Sequence, residues 1–171
     1  MITFQPALDP HHTIFRILRL SVGLSQSLPL EIDKVRIIDY YLAFPFRASA
    51  FQFRRGQSAL RRAVETYENV RPYGGFPDDR DLFLRMRPVQ TVAFETLAAR
   101  GLIDPDALKQ RMLLSGDASI PEPLFKRIVE ANSEQNDLIT VLTAICETNQ
   151  LLGSDGIKQR SGLMEYRYDA I

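Results

Sequence analysis

The amino-acid sequence predicts a mainly α fold: a helical domain with little strand content and a core compatible with a winged helix-turn-helix. Three observations carry this expectation. Apolar residues recur at i, i+3, i+4 and i+7 along most of the chain. The breaks between these segments carry helix punctuation, Asp9–Pro10 at a start and Gly23, Pro45 and Gly101 at ends. Extended character is confined to KQRMLLSG, which is short, and to the C-terminal tail.

The first helix opens at Asp9, whose carboxylate can accept from free N–H groups, with Pro10 at the first helical position. Ile14, Ile17 and Leu18 form its apolar stripe, Arg16 and Arg19 fall outside that stripe, and Gly23 ends it. Polar residues Ser25 to Ser27, then Leu28 and Pro29, lead into LEIDKVRIIDYYLAF. Here Val35, Ile38, Tyr41 and Leu42 share one face while Ile37, Tyr40 and Phe44 supply a second, so this helix is expected at the centre. Pro45 stops it. QSALRRAVETYENV aligns Leu60, Val64 and Tyr67 and starts near Gly56 to Ser58. RPYGGFPDD breaks the pattern before a short helix, DRDLFLRM. Pro88 then opens a separate helix with Val92, Leu97 and Leu102 inward, and Gly101 closes it. After the extended piece, PEPLFKRIVEAN places Leu124, Ile128 and Val129 inward. SEQNDLITVLTAICETNQLL takes Ser133 as its cap and buries Leu138, Val141, Leu142 and Ile145. In GIKQRSGLMEYRYDAI, polar and apolar residues alternate from Leu163 to Tyr168, as in an extended strap. The expected organisation is one domain over residues 1–171, with 153–171 as a C-terminal interaction arm. In the winged-helix reading the three helices are Val35 to Phe44, Ser58 to Val70 and Val89 to Arg100, and the wing has a single strand candidate.

Composition narrows the function. The chain has 171 residues, 45% of them hydrophobic, enough for a sizeable core. Its 21 Lys and Arg balance 21 Asp and Glu, so attraction to nucleic acid or membrane has to come from local patches. A single cysteine, Cys146, excludes an internal disulfide framework and a CxxC metal knuckle, and its apolar setting LITVLTAIC suits a small buried hydrophobe. MITFQPALDP lacks the basic and apolar regions of a signal peptide, and no apolar run approaches the roughly 18 residues of a membrane span. A cytoplasmic protein without a membrane partner is expected.

Catalytic signatures are missing. His11 and His12 are neighbours on a helix, pointing about 100° apart, and cannot face one ion as an i, i+4 pair would. GxSxG, GxxxxGK[ST] and GxGxxG do not occur, and Gly74–Gly75 between Tyr73 and Phe76 reads as a turn. Asp78, Asp79 and Asp81 resemble the carboxylate cluster of a metal-dependent nuclease, but Asp residues ahead of a helix are also expected as caps. The expectation is no enzyme, no cofactor, no metal and no small-molecule substrate.

Binding has two candidates. In FPFRASAFQFRRGQSALRR, Arg47, Arg54, Arg55, Arg61 and Arg62 occur without an intervening acidic residue, interleaved with Phe44, Phe46, Phe51 and Phe53. Three readings stay open: phenylalanines that tie a loop to the core beneath solvated arginines, a dock for an acidic protein partner, or a contact to nucleic-acid backbone. The second candidate is SGLMEYRYDAI, whose Tyr166, Arg167 and Tyr168 have the composition of interface cores. It serves equally as a strap closing the domain on itself.

LDPHHTIFRILRL, LEIDKVRIIDYYLAFPF, PVQTVAFETLAARGLID and GIKQRSGLMEYRYDAI together resemble the middle component of ABC-three-component systems, bacterial anti-phage defence operons related to Lamassu. The resemblance implies a small accessory subunit that binds an SMC- or Rad50-like ATPase and couples it to an effector subunit of the same operon, with any DNA contact indirect or weak. It brings no catalytic residues. A winged-helix DNA-binding transcriptional regulator is the alternative.

Overall fold

The computed structural model describes residues 5–70 and 77–164. Within them the chain is mainly α, with one small antiparallel sheet. Helix α1 (Pro10–Gly23) begins as its sequence predicts: Asp9 Oδ1 accepts the His12 N–H at 3.0 Å behind Pro10. Helix α2 (Ile32–Ala43) lies at the centre, and every residue from Ile32 to Leu42 is buried. Around it stand α1, α4 (Asp79–Ala99), α7 (Asn136–Thr148) and α8 (Ile157–Ser161).

The arginines of α1 do not lie outside. Arg16 and Arg19 are both only 7% exposed. Burial is tolerable because each guanidinium finds fixed acceptors. Arg16 donates from Nε to Asp39 Oδ1 at 2.7 Å and from Nη2 to Thr13 Oγ1 at 2.9 Å. Asp39, wholly buried on α2, also accepts from Gln90 Nε2 of α4 at 2.9 Å, so one carboxylate joins three helices. Arg19 donates from Nε to Asn132 Oδ1 and from Nη2 to Gln135 Oε1, each at 2.9 Å, which fastens α1 to the end of α6 (Glu122–Glu134).

Residues 79–99 form one helix, where the sequence suggested two. Pro88 lies inside α4, and its fixed φ is compatible with helical geometry. The amide it lacks would have bonded to the Leu84 carbonyl. Both residues are exposed, so water can replace that partner. Inside, Leu82, Phe83 and Met86 before the proline and Ala93, Phe94 and Leu97 after it are buried in the same core. Val92, expected inward, is 48% exposed, because the inward positions here are Gln90, Ala93, Phe94 and Leu97.

Later elements bring smaller corrections. Asp104 and Pro105 open a short α5 (Pro105–Lys109), with Asp104 Oδ1 accepting the Ala107 N–H at 2.7 Å. KQRMLLSG is extended only in part: Lys109 ends α5 and Arg111 turns with φ 60°, after which β2 (Met112–Leu113) pairs antiparallel with β1 (Leu30–Glu31), Leu30 opposite Leu113. Ile103 bridges to Ser115, bringing the backbones of Gly101 and Gly116 so close that a Cβ on Gly116 would strike the Gly101 carbonyl. Helix α6 runs on through Ser133, which therefore is not a cap, and α7 starts at Asn136. Only Ile128 of α6 is buried, and Val129 is 45% exposed. Helix α7 buries Leu138, Val141, Leu142 and Ile145 as expected. Of the three helices in the winged-helix reading, Ser58 to Val70 is α3 (Ser58–Glu65) followed by a 3-10 turn, and it packs on α7. Among the described residues, no helix is long and apolar enough to cross a membrane.

Candidate interaction surface

The arginine–phenylalanine segment leaves α2 at Phe44 and runs through a 3-10 helix, Pro45–Ala50, to α3. Its phenylalanines anchor it. Phe44 and Phe51 are 7% and 3% exposed, while Phe46 and Phe53 are half-buried. Phe51 meets Phe53 at a ring distance of 5.2 Å and Tyr41 at 6.1 Å, both edge to face. These rings serve the core as well as the surface.

The five arginines divide by partner. Arg47 lies over the Phe46 ring, 5.5 Å from its centroid, and is paired with Asp79 at the start of α4. Arg54 is held from three sides: Nη1 lies 2.8 Å from Asp155 Oδ2, Nη2 donates to the Asp155 carbonyl, and Nε donates to Asn149 Oδ1 at 3.2 Å. Arg61 makes an exposed i, i+4 pair with Glu65 at 3.1 Å, a contact worth little in water. Arg55 and Arg62 are exposed and have no salt-bridge partner among the described residues. Together Phe51, Phe53, Arg54, Arg55 and Arg61 line an open depression of about 460 Å³. Its floor is aromatic and its rim cationic.

The structure also joins this segment to the first half of the C-terminal arm, a proximity that sequence reading did not reveal. Gln52 N donates to the Arg160 carbonyl at 3.0 Å, and Arg160 Nη1 returns a bond to the Gln52 carbonyl at 2.6 Å. The arm's described part is not extended. It forms α8, turns at Gly162 with φ 66°, and buries Ile157 and Leu163 in the core. Helix α8 thus belongs to the domain body. Tyr166, Arg167 and Tyr168 lie outside the described residues.

Other candidate groups have structural roles. Asp78 caps α4, accepting the Arg80 N–H at 3.1 Å. Among the described residues, no group of three or more His, Cys, Asp or Glu side chains could hold a metal ion. Cys146 is buried, and loss of hydration pushes its thiol up to about 12. Missed entirely was Asp39. Its signal is an ionisable residue inside the apolar run IIDYY, which requires a partner from elsewhere in the fold.

A model of the family described as ABC-three component (ABC-3C) system Middle Component 5 matches residues 2–169. No curated protein and no solved structure matches the chain.

Proposed function

Because the chain belongs to the ABC-three component system Middle Component 5 family, we propose that it is a non-catalytic accessory subunit of a Lamassu-like anti-phage defence complex. It binds the SMC/Rad50-like ATPase of its own system and couples that ATPase to the effector. The observation that carries the reading is the depression at the arginine–phenylalanine segment. Its phenylalanines are fixed by the core, so a partner meets a preorganised apolar floor and pays little ordering entropy. Arg55 and Arg62 are free to meet carboxylates on that partner, and Arg61 can exchange its exposed Glu65 contact for one. The preferred partner surface is acidic with a protruding apolar residue.

Co-expression with the ATPase and effector encoded beside it tests the proposal. The ATPase is expected to co-purify with the wild-type chain, and the triple reversal Arg55→Glu, Arg61→Glu, Arg62→Glu should weaken the complex at least tenfold, about 1.4 kcal/mol. Failure of the wild-type chain to retain the ATPase rejects the partner. Full retention by the triple variant rejects the surface.

The DNA-binding alternative draws on the Ile103–Ser115 bridge, which folds the chain back across α5 after α4, where a wing would lie. Phosphate contacts by Arg55, Arg61 and Arg62 would make affinity fall steeply with salt. A mobility-shift titration at two salt concentrations separates this reading, and salt-insensitive binding counts against it.

A further inference from the structure

Helix α4 presents a second surface of different character. Leu84, Pro88 and Val92 recur at i, i+4 and i+8 on the side facing away from the core, within an arc of about 80° and over a rise of about 12 Å. Leu84 and Val92 are 52% and 48% exposed, and Pro88 is exposed between them. The opposite side of the same helix carries Leu82, Phe83, Met86, Ala93, Phe94 and Leu97, all buried. A helix apolar on both sides needs a neighbour on both. Among the described residues, the domain supplies one.

Charge around the ridge identifies the other. Arg85 flanks it on one side and Arg87 on the other, and neither has an acidic partner within salt-bridge distance among the described residues. Asp81 and Glu95 mark its two ends and bound its length. Beneath Arg87, the buried Arg36 guanidinium is held below its ordinary range by burial and by the like charges of Arg87 and Arg111, against the opposing charge of Asp33. Positive charge is therefore in local excess beside the middle of the ridge. At Leu84 the ridge adjoins a depression of about 440 Å³ whose lining is largely charged, Asp33, Arg80, Arg87 and Lys158 beside Leu84 and Met164.

We infer that the outer face of α4 between Leu84 and Val92 docks an amphipathic helix of a partner protein, one whose apolar stripe is flanked on both sides by Asp or Glu. Leu84 and Val92 pack against the stripe, and Arg85 and Arg87 each meet a carboxylate row, as e and g charges do beside a coiled-coil seam. This deepens the accessory-subunit reading and rests on it for the partner's origin, but the face and its charge preference stand on α4 alone.

The test uses the full chain and two labelled helical peptides of about 18 residues, both with a Leu stripe, one flanked by Glu and one by Lys. By fluorescence anisotropy at low salt, the wild-type chain should bind the Glu-flanked peptide at least about tenfold more tightly. Arg85→Glu with Arg87→Glu should invert that preference. Leu84→Glu with Val92→Glu should abolish binding of the Glu-flanked peptide while melting as the wild type does, because both side chains are already exposed. Equal binding of the two peptides, or a preference that survives the double reversal, overturns the inference. Co-purification of the ATPase is read separately. Peptide failure with ATPase retention removes this surface and leaves the accessory role. Peptide success without retention leaves the surface and removes that role.

Discussion

Asp39 accepts from both Arg16 and Gln90 without any exposure, so removing its carboxylate would leave the buried Arg16 guanidinium without a counter-charge, held only by neutral acceptors such as Thr13 Oγ1. Asp39→Ala is expected to cost about 3–5 kcal/mol in urea denaturation, because an uncompensated buried charge is worse than no ion pair at all. A loss below about 1 kcal/mol would show that water reaches Arg16 instead. Cys146 gives a pH prediction. Its thiol lies above the ordinary value in the folded state, raised to about 12 by burial. The folded state therefore holds this proton more tightly than the unfolded chain. The resulting stability is complete below the ordinary thiol range, near 9, and is lost as pH rises toward about 12. Native protein at pH 8 should react with a thiol reagent only as fast as it opens, and rapid modification without unfolding would refute this burial. Both roles were only partly legible in the sequence. Cys146 announced itself by its apolar neighbours. Arg16 was misassigned because helical periodicity sorts side chains by face and says nothing of partners, here 23 residues away along the chain.

At the scale of elements, punctuation was read well where it repeated a known pattern and missed where packing overrode it. Asp9–Pro10 is legible as a helix start; Asp104–Pro105 carries the same signal and opens α5, a start the sequence reading does not include. Pro88 reads as a boundary in the sequence, yet α4 continues through it, since three buried apolar residues on each side outweigh one missing backbone bond on an exposed face. Pro88→Ala should therefore restore the bond to the Leu84 carbonyl and stabilise the protein by about 1–3 kcal/mol in thermal or denaturant unfolding. An unchanged or lower midpoint would mean that α4 is bent at this point in a way the rest of the fold requires. The inward assignment of Val92 and Val129 failed for a related reason. Each is apolar, but the register of its helix is set by larger neighbours, Phe94 and Leu97 in one case and Ile128 in the other.

For the molecule as a whole, the mainly α architecture, the central position of α2 and the family were all readable from residues 1–171, because amphipathic periodicity and motif shape extend along the whole chain. The surface was half readable. Arginine and phenylalanine density pointed to residues 44–62, but not to which arginines the fold would consume. Arg47 and Arg54 are committed to Asp79 and Asp155, leaving Arg55, Arg61 and Arg62 for a partner. The clasp between Gln52 and Arg160 could not be foreseen, since backbone bonds between residues 108 positions apart leave no local signature.

Gln90 occupies the turn of α4 between Pro88 and Val92, and its side chain is committed inward to Asp39. Whatever grips the outward ridge thus takes hold of a stretch of helix already bolted from behind to α2 and, through Arg16, to α1. Through that one carboxylate, the outward ridge of α4 lies a single side chain away from the residues that tie α1 and α2 together.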